Sequence, residues 1–195
     1  MKSSAPFPAV FFDRDDTLVH CSDLPPPPPP AKPGDLVHPQ LVRLLPGALE
    51  ACTALRDAGF RLVVFTNQGV VARGGAPLSL VESVHDRMRA KLTAAGEHCS
   101  LIEATYYCPY HPEGLVARFT REDEWRKPKP GMIRTATAEL GLDLSRSWVV
   151  GDAGRDIEAG VGAGMPPGRC LLVRPGTAIP NLAAAARVIL SNPTP

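Results

Sequence analysis

Short runs of apolar residues alternate along the chain with longer segments whose apolar positions recur at helical spacing. The first run, Ala9-Val-Phe-Phe-Asp13, is apolar without alternation, which is typical of a strand buried on both faces of a parallel sheet. Strands and helices in alternation predict an α/β fold built on a doubly wound parallel sheet. The other predicted strands cover about 61–66, 102–107, 148–151 and 170–173, and the predicted helices about 46–58, 78–95, 130–140 and 156–164.

Composition and charge are those of an ordinary globular protein. The chain has 195 residues, of which 44% are hydrophobic and 21% charged, so we expect one domain over 1–195. A formal net charge of +1 gives no overall attraction to nucleic acid or to an acidic membrane. No membrane-spanning apolar run and no secretory signal is evident, and the five cysteines are widely spread. We therefore expect a cytoplasmic protein with reduced thiols.

Two long segments between predicted elements are expected to be loops. The first, at about 20–40, contains the proline block Pro25–Pro30, which cannot donate ladder hydrogen bonds and favours an extended conformation. This block either stiffens the rim of a site or is an inert insertion. The second loop, at about 108–126, is rich in charged residues.

Polar residues follow three of the predicted strands at their carboxyl ends. Asp13 and Asp15 follow the first strand, Thr66 and Asn67 close the second, and Asp152 follows the fourth. In an open parallel sheet these ends lie along one edge, where ligands bind. The sequence therefore predicts a site at this edge, although aspartates after a strand are also common in simple turns.

The carboxylates offer a specific chemistry. Asp13 and Asp15 are two residues apart, which sends both side chains to the same side of near-extended backbone. Asp13 could then attack a phosphorus atom while Asp15 protonates the leaving oxygen. Because carboxylates repel a phosphate, the arrangement needs a cation, and Asp152 adds an oxygen ligand for Mg²⁺. Asp156 either caps the next helix or orders metal-bound waters.

A cationic segment, Arg126-Lys-Pro-Lys-Pro-Gly131, precedes the third predicted helix. Helix starts favour anions through their free N–H groups and dipole. Lys127 is the candidate that neutralises a bound phosphate, whereas Lys129 fits a solvated basic patch.

Taken together, the Asp13, Thr66, Lys127 and Asp152 segments resemble the four motifs of the haloacid dehalogenase (HAD) superfamily of phosphohydrolases. The resemblance implies the HAD fold, a Rossmann-like sheet, in its capless form with an open site. Three segments further resemble the D-glycero-D-manno-heptose bisphosphate phosphatase and histidinol phosphatase branch. They are Thr66-Asn-Gln-Gly-Val-Val-Ala-Arg-Gly74, Cys108-Pro-Tyr-His-Pro-Glu-Gly114 and Arg126-Lys-Pro-Lys-Pro-Gly-Met132.

The same resemblance implies roles for the acidic residues. Asp13 would be the nucleophile and Asp15 the general acid and base. Mg²⁺ would be held by Asp13, by the backbone carbonyl of Asp15 and by Asp152.

Roles in substrate binding follow from the resemblance as well. Thr66 and Asn67 would bind the transferred phosphoryl group, and Lys127 would neutralise its charge. Arg73 and Arg126 become candidates for contacts to the sugar or to a distal phosphate, since a guanidinium can meet phosphate bidentately.

The charged loop departs from the zinc site that related enzymes often carry. The matching positions are Cys108, Tyr110, Asp123 and Trp125, so a single cysteine remains of the usual Cys and His ligands. Structural zinc normally takes four nitrogen or sulfur ligands, and we therefore do not expect zinc. Trp125 and its neighbours would have to order this loop instead.

Two departures lie close to the expected phosphate site. Asp16 stands where the family usually has glycine, and aspartate tolerates a left-handed backbone better than most residues. Gly69-Val70 stands where the branch commonly has Ser-Gly, which removes one hydroxyl.

We therefore expect a Mg²⁺-dependent phosphomonoester hydrolase that acts through an aspartyl-phosphate on a small phosphorylated metabolite, such as D-glycero-D-manno-heptose 1,7-bisphosphate. The alternatives are a non-catalytic phospho-ligand binding module and a phosphatase of histidinol phosphate or of nucleic-acid ends. A nucleophile and acid pair at this spacing counts against the first. Near-zero charge and the acidic run Glu122-Asp123-Glu124 count against nucleic acid. We expect no membrane partner, and a monomer is compatible with the sequence, which leaves the oligomeric state open.

Overall fold

The computed structural model describes residues 6–93 and 98–192 and contains a five-stranded parallel sheet in the order β3-β2-β1-β4-β5. The strands are β1 (Ala9–Phe12), β2 (Arg61–Asn67), β3 (Ile102–Cys108), β4 (Trp148–Gly151) and β5 (Cys170–Leu172). The helices are α1 (Ala48–Asp57), α2 (Leu78–Lys91), α3 (Gly131–Leu140), α4 (Gly154–Ala163) and α5 (Leu182–Ser191). This confirms the predicted α/β doubly wound parallel sheet.

Each predicted strand and helix is present, with ends that differ by a few residues. Helix α2 ends at Lys91 rather than near residue 95, and residues 94–95 of that prediction lie outside the described residues. Helix α5 was not predicted. The Asn181 side chain caps its start by accepting a hydrogen bond from Ala184 N at 2.9 Å. In the described part of the chain, no helix is both long and apolar enough to cross a membrane.

The sheet is buried on both faces because successive strand residues point to opposite sides. Val10 and Phe12 belong to one buried cluster, which includes residues of α1, α2 and α5. Ala9 and Phe11 belong to another, which includes residues of α3 and α4. Every residue of β1 is therefore buried, as its unbroken hydrophobic run predicted.

The order of the strands fixes where the site lies. The chain fills one half of the sheet from β1 outward through β2 and β3, then returns to the other side of β1 with β4 and β5. β4 pairs with β1 in parallel, on the side opposite to β2, and the strand order therefore reverses between β1 and β4. Ligands bind at such a reversal, beyond the carboxyl ends of the strands. Asp13 and Asp152 are the residues that immediately follow these two strands.

The proline loop packs on the loop that follows β2. Ala31 and Val37 belong to a third buried cluster together with Val70 and Val71. At Gly75 a Cβ atom would lie 2.8 Å from the backbone of Ala31, so the two loops approach more closely than a larger residue would allow. The contact holds the proline loop against the sheet edge that carries the site.

His85 on α2 is buried behind the site and makes stability depend on pH. Its ring lies 4.9 Å from that of Tyr107, and its Nε2 has no hydrogen-bond partner in the part of the chain that the structure describes. Burial, assisted by the charge of Arg14, lowers the pKa of His85 from 6.5 to about 3. The unfolded chain therefore takes up a proton at a pH where the folded chain does not, and the neutral histidine's contribution is lost as the pH falls below 6.5.

We expect His85→Gln to lose less stability than the wild type between about pH 7 and about pH 4, by on the order of 1–3 kcal/mol. Urea unfolding of both proteins at the two pH values measures the difference. Equal losses for the two proteins would contradict this assignment.

Candidate active site

Asp13 lies directly after β1 at the bottom of the site and is 2% exposed. Its backbone N–H donates to Val150 O at 2.9 Å, which ties the end of β1 to β4. Its Oδ1 accepts from Arg14 N at 2.7 Å and pairs with Lys127 Nζ at 2.8 Å. Both contacts use Oδ1, so Oδ2 is the oxygen left to meet a reacting group. Burial, followed by neighbouring carboxylates, raises the pKa of Asp13 to about 7 against the opposing effect of Lys127.

Lys127 is a buried ammonium enclosed by three oxygens. Its Nζ donates to Phe65 O at 3.1 Å and pairs with Asp13 Oδ1 at 2.8 Å and with Asp156 Oδ1 at 2.7 Å. The two carboxylate contacts are ion pairs, so the charge of the ammonium is balanced within the protein. Lys127 is thus brought together with the nucleophile candidate as predicted, and it acts there as a fixed positive charge.

Asp156 holds Lys127 from the opposite side. Its second oxygen, Oδ2, accepts from Ala153 N at 3.0 Å at the start of α4. A Cβ atom at Gly151 would collide with this carboxylate, so only glycine at the end of β4 leaves room for it. The structure therefore gives Asp156 the helix-capping role, together with a direct contact to Lys127. Its role toward metal-bound waters stays a prediction.

Three carboxylates form a group that fits a hard divalent cation. Oxygens of Asp13, Asp152 and Asp156 lie within 4.8 Å of one another. Asp152 Oδ1 is buried and has no hydrogen-bond partner among the described residues, and burial followed by the charge of Asp156 raises the pKa of Asp152. An unpaired buried oxygen is costly, and a cation would satisfy it. The donor set, all oxygen, matches what Mg²⁺ prefers.

Asp15 is surrounded by donors. Its Oδ1 accepts from Arg14 Nε at 2.8 Å and Cys21 Sγ at 3.0 Å, and its Oδ2 accepts from Arg14 Nη2 at 3.2 Å and Gln68 Nε2 at 3.0 Å. Burial alone would raise the pKa of Asp15, but the Arg14 guanidinium and the other donors hold it below its usual value. Asp15 therefore rests as a carboxylate, in the form that can accept a proton.

Gln68 connects the groups around Asp15, and its role was not predicted from the sequence. Its Oε1 accepts from Arg14 Nη2 at 2.9 Å, while its Nε2 donates to Asp15 Oδ2 and to Thr66 Oγ1, both at 3.0 Å. The one signal in the sequence that included Gln68 was the resemblance of the Thr66–Gly74 segment to the phosphatase branch.

We expect Gln68→Ala to lower kcat by about 10–100-fold, because Arg14 and Asp15 would lose the amide that fixes their orientation. The Gln68→Glu variant is a sterically matched comparison that loses the N–H donors. Steady-state kinetics and a thermal unfolding curve check the result. An unchanged kcat in Gln68→Ala would contradict the role given to this amide.

Thr66 and Asn67 lie at the end of β2, as predicted, but their side chains are engaged differently. Thr66 is buried and accepts from Gln68. Asn67 Nδ2 donates to Lys127 O at 3.1 Å, and its Oδ1 accepts from Lys127 N at 3.0 Å. The Asn67 side chain therefore fixes the backbone of Lys127. Phosphoryl binding by these two residues stays a prediction.

A polar cavity of about 300 Å³ opens above these groups. Arg73 and Arg126 both line it, and their Nη1 atoms lie 3.2 and 3.4 Å from the position that a Cβ would take at Gly69. Arg73 pairs with Asp35 of the proline loop, whereas Arg126 Nη1 donates to Tyr110 O at 3.2 Å. The predicted pair of arginines is thus brought to one corner of the cavity, where the sequence has glycine in place of the usual serine.

Asp16 has a left-handed backbone, with φ of 52°, as expected at a position usually held by glycine. Its Oδ1 accepts from Cys21 N at 2.9 Å and from Ser22 N at 3.0 Å. This carboxylate therefore closes the turn that presents Cys21 to Asp15. The sequence did not predict that role.

Aromatic contacts order the charged loop at about 108–126. Trp125 packs edge-on against Tyr106 at 5.9 Å, and Arg121 lies 3.6 Å from the ring centroid of Tyr110. Asp123 accepts from Trp125 N at 3.0 Å. Burial raises the pKa of the Cys108 thiol to about 11.

Comparison with known proteins finds a family model and several phosphatases that are similar to this chain. A HAD-hydrolase-like family model matches residues 124–189. The D-glycero-β-D-manno-heptose-1,7-bisphosphate 7-phosphatase of Yersinia pestis is 34% identical over 169 residues, which is 87% of this chain and 81% of that protein. The corresponding α-anomer phosphatase of Photorhabdus laumondii is 36% identical over 138 residues, 71% of this chain and 72% of that protein.

A solved structure is similar over nearly the whole chain. It is the D,D-heptose 1,7-bisphosphate phosphatase of B. bronchiseptica in complex with magnesium and phosphate, with a TM-score of 0.73 and 27% identity. The match covers 94% of this chain and 98% of that one.

Proposed function

The chain is a phosphatase that belongs to the haloacid dehalogenase superfamily, in the family of the heptose bisphosphate phosphatases, and from this premise we propose that it hydrolyses a sugar bisphosphate in a Mg²⁺-dependent reaction. The observation that carries the proposal is the buried Asp13, whose Oδ1 is held by Lys127 and Arg14 N and whose carboxylate lies close to those of Asp152 and Asp156. The substrate class is that of the relatives, D-glycero-D-manno-heptose 1,7-bisphosphate.

In the first step, Oδ2 of Asp13 attacks phosphorus and forms an aspartyl-phosphate while the bond to the sugar oxygen breaks. Asp15 gives its proton to that leaving oxygen. Asp15 rests as a carboxylate, so it must gain this proton when the substrate arrives. A phosphate dianion beside it raises its pKa, because two neighbouring negative charges disfavour ionisation.

In the second step, Asp15 accepts a proton from a water molecule, and the resulting hydroxide attacks the phosphorus of the aspartyl-phosphate. The bond between phosphorus and Asp13 breaks, inorganic phosphate leaves, and the carboxylate of Asp13 is restored. Asp15 then loses this proton to solvent and returns to its ionised resting form, which the Arg14, Cys21 and Gln68 donors stabilise.

We propose Asp13, Asp152 and the backbone carbonyl of Asp15 as the Mg²⁺ ligands. The unpartnered Asp152 Oδ1 supports this assignment. When bound, Mg²⁺ supplies positive charge that lets a phosphate dianion approach the carboxylates. Lys127 adds a second fixed charge from below, and Asp156 keeps it in place.

The cavity suits a second phosphate at its outer corner. Arg126 and Arg155 both line it, and among the described residues neither has a carboxylate partner within ion-pair distance. Guanidinium groups bind phosphate strongly. The relatives act on opposite anomers, so the choice of anomer is left to the test.

The test is phosphate release from both anomers of the heptose bisphosphate, the matched monophosphates, histidinol phosphate and an end-phosphorylated oligonucleotide. Each is assayed with Mg²⁺ and with a chelator. We expect Mg²⁺-dependent release with the highest kcat/KM on a sugar bisphosphate. A higher kcat/KM on the oligonucleotide or on histidinol phosphate would show that this compound, and not a sugar bisphosphate, is the substrate. No phosphate release from any of the compounds would overturn the proposal.

A further inference from the structure

The proline loop contributes a carboxylate to the substrate cavity. Asp35 lines the cavity beside Pro33 and Gly34, and both of its oxygens lie 2.8 Å from Arg73 Nη2. The two side chains are 19% and 15% exposed, so this is not a solvated surface pair. One of the two arginines at the sugar end of the site is therefore already neutralised by the protein itself.

Resting on the proposed function, we propose that Asp35 is a specificity-determining residue: its ion pair with Arg73 withdraws that guanidinium from phosphate binding and leaves the second phosphate of the substrate to Arg126 and Arg155. The Arg73 guanidinium then receives a neutral part of the substrate, a sugar hydroxyl.

The position of Asp35 is fixed by its own loop rather than by Arg73 alone. Its Oδ2 accepts from Lys32 N at 2.7 Å, and its N–H donates to Lys32 O at 2.9 Å. Ala31 and Val37, on either side of this turn, are buried against the loop that follows β2. Asp35 is thus held in the cavity wall, and a distal phosphate cannot displace it without moving packed residues.

Arg73 keeps a donor that fits a hydroxyl. Its Nη2 is taken by Asp35, whereas its Nη1 lies 3.2 Å from the position that a Cβ would take at Gly69, a residue that also lines the cavity. A guanidinium N–H on the cavity wall can donate to a substrate oxygen placed beside it. Since Asp35 cancels the charge, a neutral acceptor suffices. The dianion of a phosphate would instead lie close to the Asp35 carboxylate and be repelled by it.

The charge of Asp35 is a large part of the charge balance in the cavity. Its lining holds four cationic side chains and four carboxylates. Lys127 is paired with Asp13 and Asp156, and Arg73 with Asp35, which leaves Arg126 and Arg155 for a second phosphate. Removing the charge of Asp35 would add a third free guanidinium to that set.

The test uses Asp35→Asn in the full chain, because asparagine keeps the size and the acceptor for Lys32 N but removes the charge. The kcat/KM is measured with Mg²⁺ on a sugar bisphosphate and on the matching monophosphate. We expect the bisphosphate-to-monophosphate ratio to rise about tenfold, mainly through the KM of the bisphosphate. In the double variant Asp35→Asn with Arg73→Gln the gain should disappear.

Asp23→Asn is the matched control. Asp23 lies on the same loop and pairs with Arg43 at 3.4 Å, but both side chains are more than half exposed. Its ratio should equal that of the wild type. An unchanged ratio in Asp35→Asn, or an equal fall on both substrates, would overturn the proposal.

The experiment separates this inference from the proposed function. If the wild type releases no phosphate from sugar bisphosphates, the proposed substrate fails. The inference is then tested by competition, with a sugar bisphosphate and its monophosphate as inhibitors of p-nitrophenyl phosphate hydrolysis. A stronger gain in bisphosphate than in monophosphate inhibition on Asp35→Asn supports it, and equal changes overturn it.

Discussion

Asp13→Asn is expected to lower kcat by at least about 10⁴-fold, because the amide oxygen cannot form the covalent bond to phosphorus. The fold should survive. Asparagine keeps an oxygen for Arg14 N, and Lys127 retains its contacts to Asp156 and Phe65. Steady-state kinetics with Mg²⁺, together with the thermal unfolding midpoint, check both halves of the expectation.

The comparison for this variant is Asp23→Asn, the same chemical change on an exposed loop residue, which should leave kcat unchanged. A folded Asp13→Asn protein that keeps more than about a tenth of the wild-type rate would show that another group attacks phosphorus.

Lys127→Met should have the largest effect on stability. Methionine fills the space of the lysine stem but leaves Asp13 and Asp156 buried at 2% and 0% exposure without their shared cation. Breaking a buried charge pair on one side typically costs about 3–5 kcal/mol, and we expect a loss in that range. Activity should fall by at least about 10²-fold, since the fixed positive charge beside the phosphate is lost.

The measurement is urea unfolding with and without Mg²⁺. The divalent cation should stabilise Lys127→Met more than the wild type, because it offsets the two unpaired carboxylates. Lys129→Met is the matched control, with the same substitution two residues away. The Lys129 side chain is 39% exposed and pairs with Glu122 and Glu124 at 3.5 and 3.3 Å, so its removal should change stability much less than that of Lys127. Equal losses in the two variants would contradict the account of Lys127.

The acidic centre of the site could be predicted from the sequence because it depends on regular structure. Apolar runs located the strands, and parallel strands end at one edge. Asp13 and Asp152 had to meet there once β1 and β4 paired, and both lie where the sheet order reverses. Lys127 was identified by its place before a helix and by the motif around it, and its Nζ lies 2.8 Å from Asp13.

The groups that were missed depend on contacts between segments without periodicity. Gln68 reaches Arg14 and Asp15 across 54 and 53 residues of chain, and no local pattern marks a turn glutamine for that role. Asp35 meets Arg73 only because two irregular loops pack together. The burial of Arg14 could not be predicted either. Charged residues flank it in the sequence, which favours an exposed position, but in the folded chain it is fully buried.

Both long loops lie near the site. The sequence leaves two roles open for the proline block, a stiffener of the site rim or an inert insertion, and in the structure the turn that follows the block, Pro33 to Asp35, forms part of the cavity wall. The charged loop was expected to depend on Trp125 and its neighbours, and Trp125 does pack against Tyr106. In both cases side chains from loops, rather than a cap, surround the opening above the carboxylates.

The central claim is that phosphorus is transferred to Asp13 itself. The most direct measurement is a rapid acid quench of the enzyme with substrate and Mg²⁺, followed by mass spectrometry of the peptide that contains residues 10–14. We predict one added phosphoryl group, located at Asp13, that disappears as turnover is completed and is absent from Asp13→Asn. A phosphorylated peptide from elsewhere in the chain, or rapid turnover with no phosphorylated enzyme at any quench time, would contradict it.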